Sequence, residues 1–109
     1  MITAELHKRV EEIAHSIGME EDVFVIKASI SYLAEKRRAY LKERFEILSR
    51  YSAVSASDLK KKISDGNVPE HPGWEDMIDI ENIEAEVAEI DSDIRDLQKA
   101  PAASPAGIQ

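Results

Sequence analysis

A helix stop, a turn and a second helix start lie within residues 18–33, and they constrain the fold of this chain more than any other feature. Gly18 fits the left-handed position just after a helix end, because glycine has no Cβ to clash there. Glu20, Glu21 and Asp22 follow it, and carboxylates are favourable at the positive end of a helix dipole. We therefore predict a first helix that ends before Gly18 and a second that begins near Glu20.

Apolar residues recur at three- and four-residue spacing along most of the chain, a pattern typical of helices packed on one face. No segment alternates with a period of two, so we expect an all-α fold. Thr3 and Ser55 are the expected N-caps, and Gly66 is expected to end the third helix. The predicted helices cover Ala4–Ile17, Glu20–Tyr51, Ala56–Asp65 and Trp74–Gln98. The polar residues 35–38 leave open whether the second helix is continuous to Tyr51.

Composition divides the 109 residues into four segments. Residues 1–52 are expected to form a two-helix dimerisation core. Residues 53–73 hold the short helix and a proline-containing linker, and residues 74–98 form an acidic amphipathic helix. The tail, residues 99–109, is rich in alanine and proline and is expected to be disordered.

The net charge of −8 is unevenly distributed along the chain. Residues 27–62 carry ten basic and four acidic side chains, whereas residues 63–109 carry two basic and twelve acidic ones. Two explanations are compatible with each other and stay open. The acidic segment lies along the basic middle helix, in the same subunit or across a dimer, or it covers a basic partner protein.

The first 33 residues resemble the two-helix core of ribbon-helix-helix proteins, which are small dimeric repressors and antitoxins. The residues that carry the likeness are Thr3-Ala4-Glu5-Leu6, Val10, Ile13-Ala14, Gly18 and Phe24-x-Ile26-Lys27-Ala28-x-Ile30-x-x-Leu33. The resemblance implies a homodimer with Ile26, Ile30 and Leu33 at its centre. In that family a preceding β-strand pairs across the dimer and enters the major groove of DNA. Only Met1 and Ile2 precede the first helix here, so we expect the DNA-reading strand to be missing.

The order of elements over residues 3–97 is also similar to that of small antitoxin-type proteins, which end in a tryptophan–acid segment. This similarity implies a non-catalytic homodimer whose acidic helix docks onto and inhibits a basic, toxin-like protein. Apolar residues of that helix would fill a groove on the partner, and acidic residues would steer it toward basic surface. The apolar set is Trp74, Met77, Ile80, Ile83 and Val87, and the acidic set is Asp76, Asp79, Glu84 and Glu86.

Two other non-catalytic functions remain open. The chain fits a self-contained structural or regulatory helical dimer, with the fourth helix folded back on the second. A DNA-binding transcriptional regulator is less favoured, because three carboxylates at residues 20–22 would repel a phosphate. The remaining cationic residues for DNA would be Lys36, Arg37, Arg38, Lys42, Arg44 and Lys60–Lys62.

Candidate metal sites are weak. His7, Glu11 and His15 share one helix face, but the two histidines are about 12 Å apart along the axis, too far for one ion. Paired acids on the fourth helix are similar to the Mg²⁺-binding patterns of all-α nucleotide pyrophosphatases, although they flank an unbroken apolar seam and should face water. The pairs are Glu81 with Glu84, Glu86 with Glu89, and Glu75 with Asp79. We expect no catalytic residue, no cofactor and no metal.

The chain has no cysteine, and no apolar run approaches the roughly 18 residues that a membrane span needs. The N-terminus has no uninterrupted apolar block of the kind that signal peptides carry. These features predict a cytoplasmic protein that neither depends on disulfides nor contacts a membrane.

Overall fold

Helices make up most of the described chain. The computed structural model describes residues 3–100, within which four α-helices and no strand are present. They are α1 (Ala4–Ser16), α2 (Glu21–Arg50), α3 (Ala56–Ser64) and α4 (Glu70–Gln98). The all-α prediction is confirmed. Met1, Ile2 and residues 101–109 of the predicted tail lie outside the described residues.

The two predicted N-caps form as expected. Thr3 Oγ1 accepts a hydrogen bond from the Leu6 N–H at 3.0 Å. Ser55 Oγ accepts one from the Asp58 N–H, also at 3.0 Å. The Asp58 carboxylate in turn accepts a hydrogen bond from the N–H of Val54, the residue before the cap. Both hydrogen bonds at the start of α3 thus join residues no more than four positions apart. Each bond satisfies a backbone donor that a helix start leaves without an intrahelical partner.

Three helices end in the same hydrogen-bonded motif, in which the second residue after the helix has the left-handed conformation. Gly18 (φ 77°) follows α1 and Gly66 (φ 80°) follows α3, as their positions in the sequence predicted. After α2 the left-handed residue is Ser52 (φ 54°), and the Ala53 N–H then donates to the Leu48 carbonyl at 3.0 Å. A serine does not indicate a left-handed residue in the sequence as a glycine does. The backbone hydrogen bonds that end α2 nevertheless follow the same pattern as those after α1 and α3.

Helix α2 runs without interruption over 30 residues, so the polar stretch in its middle does not break it. The predicted linker before the fourth helix is partly absorbed into α4. His71 and Pro72 have non-helical backbone angles, and the regular part of α4 begins after them, close to the predicted start at Trp74. None of the helices within residues 3–100 is both long and apolar enough to cross a membrane.

The chain divides into two compact units, which cut across the four segments expected from composition. Unit 2, Ala34–Ser92, contains the main core. Its buried cluster joins side chains from α2, α3, the following loop and α4. The buried members are Ile47, Leu48, Leu59, Ile63, Val68, Met77, Ile80 and Ile83. Gly73 is also buried, and an added Cβ there would lie 3.2 Å from Ile63 and Val68 side-chain atoms.

Unit 1 comprises the described residues of Met1–Leu33 and Asp93–Gln109. Among them only Ala14 is fully buried, and most other apolar side chains are half-buried or exposed. The His7 Nε2 atom lies 2.7 Å from Glu21 Oε2 and links α1 to the start of α2. Unit 1 therefore has far less buried apolar surface than unit 2.

Candidate interaction surface

Helix α4 presents an apolar side to the core of unit 2. Met77, Ile80 and Ile83 are buried there, and Ile80 has no exposed surface at all. Trp74 and Val87 are partly buried against the same cluster. The five apolar residues that the sequence assigned to a partner's groove are thus packed within the chain itself.

Two ion pairs join α2 to α4 along the edge of this core. Arg37 Nε donates to Asp91 Oδ1 at 2.8 Å, and Arg44 Nε donates to Glu84 Oε2 at 2.8 Å. The acidic helix therefore lies along the basic one within a single chain, the first of the two explanations for the uneven charge. Glu84 thus forms an ion pair within the chain, with 42% of its side chain still exposed.

Asp76 has a similar internal role at the end of α2. The Tyr51 hydroxyl donates a hydrogen bond to its carboxylate, and Arg50 Nη1 lies 3.6 Å from the same oxygen. Partial burial of the phenol, and then this hydrogen bond, raise the pKa of Tyr51 to about 12. Asp76 thus fixes the α2 end against α4.

The opposite side of α4 is exposed and mostly acidic. We call it the acidic face. Two of the predicted steering residues, Asp79 and Glu86, lie on it, whereas Asp76 and Glu84 do not. The exposed residues that define it are Ile78, Asp79, Glu81, Asn82, Ala85, Glu86 and Glu89. The large apolar side chain of Ile78 is 50% exposed at the N-terminal end of this face, next to Asp79 and about one helical turn before Glu81 and Asn82.

A shallow groove of about 230 Å³ borders the acidic face. Asp79 and Glu86 line it from α4, and Tyr40 and Glu43 line it from α2. Three carboxylates around one phenol ring favour a cationic side chain over an anionic one. The groove therefore extends the negative surface of α4 onto the neighbouring helix.

A histidine–carboxylate pair lies at the start of α4. The Nδ1 atom of His71 is 2.9 Å from Glu75 Oε2. This hydrogen bond raises the pKa of His71 and lowers the pKa of Glu75. Both side chains are largely exposed, so the pair is a surface feature and not an enclosed acid–base site.

The surroundings of the residues considered for metal and DNA binding can be compared with the sequence-based expectations. Within residues 3–100, no group of three or more His, Asp or Glu side chains is placed to hold a metal ion. Of the basic residues considered for DNA, Arg37 and Arg44 pair with α4, and Lys61 Nζ lies 2.7 Å from Asp65. These contacts reduce the positive charge that remains for phosphates.

The residues expected at the centre of a dimer are neither buried nor fully exposed in the single chain. Ile26, Ile30 and Leu33 are each half-buried. The larger exposed apolar side chains of unit 1 are elsewhere: Leu6 and Ile13 on α1, Ile17 just after it, and Val25 and Tyr32 on α2. A homodimer stays a prediction, and the structure offers α1 as a second surface for it.

A family model with the description "Uncharacterized protein MJ0235 family" matches residues 1–102. The chain belongs to the MJ0235 family. No curated protein and no solved structure matches it.

In this MJ0235 family member, sequence reasoning missed two features of the surface. The Arg37–Asp91 pair joins residues 54 positions apart, and no local pattern connects them. Ile78 did carry a signal, because it lies off the regular apolar seam formed by Ile80, Ile83 and Val87. A large apolar residue on the polar side of an amphipathic helix is a candidate contact residue.

Proposed function

We propose that this protein is a non-catalytic interaction module that binds a basic partner protein through the acidic face of α4. The single observation that carries the proposal is that carboxylates of α4 remain exposed after others have formed ion pairs with α2. Arg37 and Arg44 are already matched by carboxylates of α4. The acids of the acidic face nevertheless remain exposed, with Ile78 among them.

Such a face has the properties of a protein-binding surface more than of a solvated helix side. An apolar residue surrounded by charged ones matches the apolar centre and polar rim of common interfaces. Its carboxylates would attract a basic protein over a distance set by the ionic strength. They would repel nucleic acid, which makes a protein the favoured partner.

Inhibition of a basic, toxin-like protein is the specific form of this proposal. It is supported by the resemblance in element order and by the exposed carboxylates Asp79 and Glu86. The burial of Met77, Ile80 and Ile83 changes how such docking would proceed. These side chains support the helix from inside, so a partner would bind the outer side of a helix that is already folded.

A second candidate is a self-contained structural or regulatory helical dimer. The same burial favours it, because α4 is folded back on α2 within unit 2 and has its own apolar partners. In that case the acidic face serves only solubility and has no specific ligand.

The two candidates are separated by capture of partners with a tagged, full-length chain from extract of the source cells. The face variant is Ile78→Ser with Asp79→Asn, Glu86→Gln and Glu89→Gln. The matched variant, Val54→Ser with Glu5→Gln, Glu11→Gln and Glu12→Gln, changes the same number of charges and one exposed apolar residue elsewhere. We expect a basic protein that the wild type and the matched variant retain, the face variant loses, and high salt releases.

Nuclease treatment of the extract excludes capture through nucleic acid. A basic protein that both variants retain equally would contradict the role of the acidic face. The absence of any protein that distinguishes the two variants would favour the self-contained dimer.

A further inference from the structure

A narrow apolar stripe along α1 stays partly exposed among the residues that the structure describes. The stripe consists of Leu6, Val10 and Ile13 of α1 and of Ile17, the C-cap that follows them, at spacings of four, three and four residues. These positions fall within about 60° of one another around the helix axis. The stripe is therefore a single line of large apolar side chains along the whole of α1.

The burial of neighbouring residues shows that α1 packs through a different side. Ala14, one residue beyond Ile13, is 1% exposed. Leu6, Ile13 and Ile17 are 52%, 40% and 56% exposed. Within residues 3–100 these three side chains are therefore covered only in part, and Val10 on the same face is half-buried.

We infer that a second copy of this chain covers the stripe, with the two α1 helices packed antiparallel across a two-fold axis. The spacing reads the same in both directions along the chain. In an antiparallel pair, Leu6 therefore lies opposite the partner's Ile17, and Val10 lies opposite the partner's Ile13. A self-complementary pattern of this kind is what a two-fold interface requires, because each subunit offers the same patch.

The two ion-paired residues of α1 leave the stripe itself apolar. Around the helix axis, Arg9 lies about 70° from the centre of the stripe and Glu12 about 130° from it. They pair with each other within the chain, with Arg9 Nη1 2.8 Å from Glu12 Oε1. The dipoles of the two helices oppose each other favourably in the antiparallel orientation.

The C-terminal tail is a poorer occupant of the stripe. Residues 101–109 contain one large apolar residue, Ile108, and the stripe has four. A second copy supplies four apolar residues at matching spacing. This inference is independent of the partner proposed for α4, because it uses a different helix and a measurement on the purified chain alone.

The first test is the oligomeric state of the full-length chain by analytical ultracentrifugation. We expect a dimer, and Leu6→Ser with Ile17→Ser should weaken it by roughly a hundredfold, since a two-fold interface loses each side chain twice. Phe45→Ser with Val54→Ser, two exposed apolar residues of unit 2, is the matched control and should leave the dimer unchanged. A monomeric wild type, or equal weakening by both double variants, would overturn the inference.

Two further variants keep the test informative if the serine variant unfolds. Ile13→Ala, a milder change than either serine, should weaken the dimer roughly tenfold, since a two-fold interface loses the side chain twice. Deletion of residues 101–109 should leave the dimer unchanged. A gain of self-association on deletion would show that the tail covers the stripe and would overturn the inference.

Cross-linking tests the orientation directly, because the natural chain has no cysteine. Leu6→Cys or Ile17→Cys alone should not form disulfide-linked dimers, since identical positions lie about 16 Å apart in the antiparallel pair. The double variant should form a doubly linked dimer under mild oxidation. Efficient linking of Leu6→Cys alone would indicate parallel helices and overturn the antiparallel arrangement.

Discussion

The two compact units of this chain bury their apolar residues to very different extents. Unit 2 encloses side chains from three helices and a loop, and Leu59 and Ile80 have no exposed surface. The described part of unit 1 fully buries only Ala14 and leaves Leu6 and Ile17 more than half exposed. A helix that packs on two others can hide its apolar side, whereas a short hairpin of helices leaves much of it in water. Unit 2 therefore has a buried core of its own, whereas the described part of unit 1 buries little.

The same comparison separates the two faces that we propose as interaction surfaces. The acidic face of α4 lies on unit 2, where the core beneath it is complete. Binding there needs no change in the packing of Ile80 or its neighbours. The stripe of α1 belongs to unit 1, where binding completes a core that one chain leaves open. We therefore expect loss of the α1 contact to affect stability and loss of the α4 contact to affect only recognition.

The largest expected effect is on the free energy of unfolding. The same substitution, isoleucine to alanine, is made in each unit to test the difference in burial. Ile80→Ala removes a fully buried side chain and should lower the free energy of unfolding by about 2–5 kcal/mol. Ile13→Ala removes one that is 40% exposed and should lower it by about 1 kcal/mol in the monomer. Urea unfolding followed by circular dichroism, below the concentration at which the chain self-associates, measures both. Equal losses would show that the two units do not differ in this way.

The hydroxyl of Tyr51 provides a smaller contrast. Tyr51→Phe removes the hydrogen bond to Asp76 and should lower the free energy of unfolding by about 1–2 kcal/mol, since the acceptor is a carboxylate. Tyr32, an exposed tyrosine of unit 1, is the matched control. Tyr32→Phe should change stability by less than about 0.5 kcal/mol. A loss of similar size at both positions would contradict the role assigned to the Tyr51 contact.

The pKa of Tyr51 gives the same contact a dependence on pH. Because the folded pKa, about 12, is above the ordinary value near 10, folding favours the protonated phenol. Its contribution to stability is complete below pH 10 and is lost as the pH rises toward 12. The phenolate absorbance of the wild type minus that of Tyr51→Phe should therefore titrate near 12. A difference spectrum that titrates near 10 would contradict the contact with Asp76.

Features governed by neighbouring residues could be predicted from the sequence. The caps at Thr3 and Ser55 and the helix ends at Gly18 and Gly66 depend on a few adjacent positions, and all four form as expected. The predicted end of α2, Tyr51, is one residue beyond the observed end at Arg50. The helix stops because Ser52 adopts the left-handed conformation, which the sequence would have indicated only if a glycine stood there. Local rules thus give the boundaries of these helices to within about a residue.

The environment of each side of α4 could not be predicted from the sequence. An amphipathic pattern shows which residues avoid water, but not whether this chain or a partner covers them. Met77 and Ile83 fit either possibility, and only the three-dimensional packing assigns them to the internal core. The uneven charge did indicate that α2 and α4 attract each other. The particular pairs, such as Arg44 with Glu84, join residues 40 positions apart and depend on how the two helices align in space.

The smallest expected effect compares one ion pair from each unit. Arg44–Glu84 connects two helices, whereas Arg9–Glu12 lies within one turn of α1, and both pairs have an N–O distance of 2.8 Å. Double-mutant cycles with Arg→Met and Glu→Gln should give coupling energies of about 0.5–1 kcal/mol for the first pair and about 0.3 kcal/mol for the second. Both values should fall at high salt, because neither pair is enclosed. A coupling for Arg9–Glu12 that equals or exceeds the coupling for Arg44–Glu84 would contradict the expected difference between a pair within one helix and a pair that joins two helices.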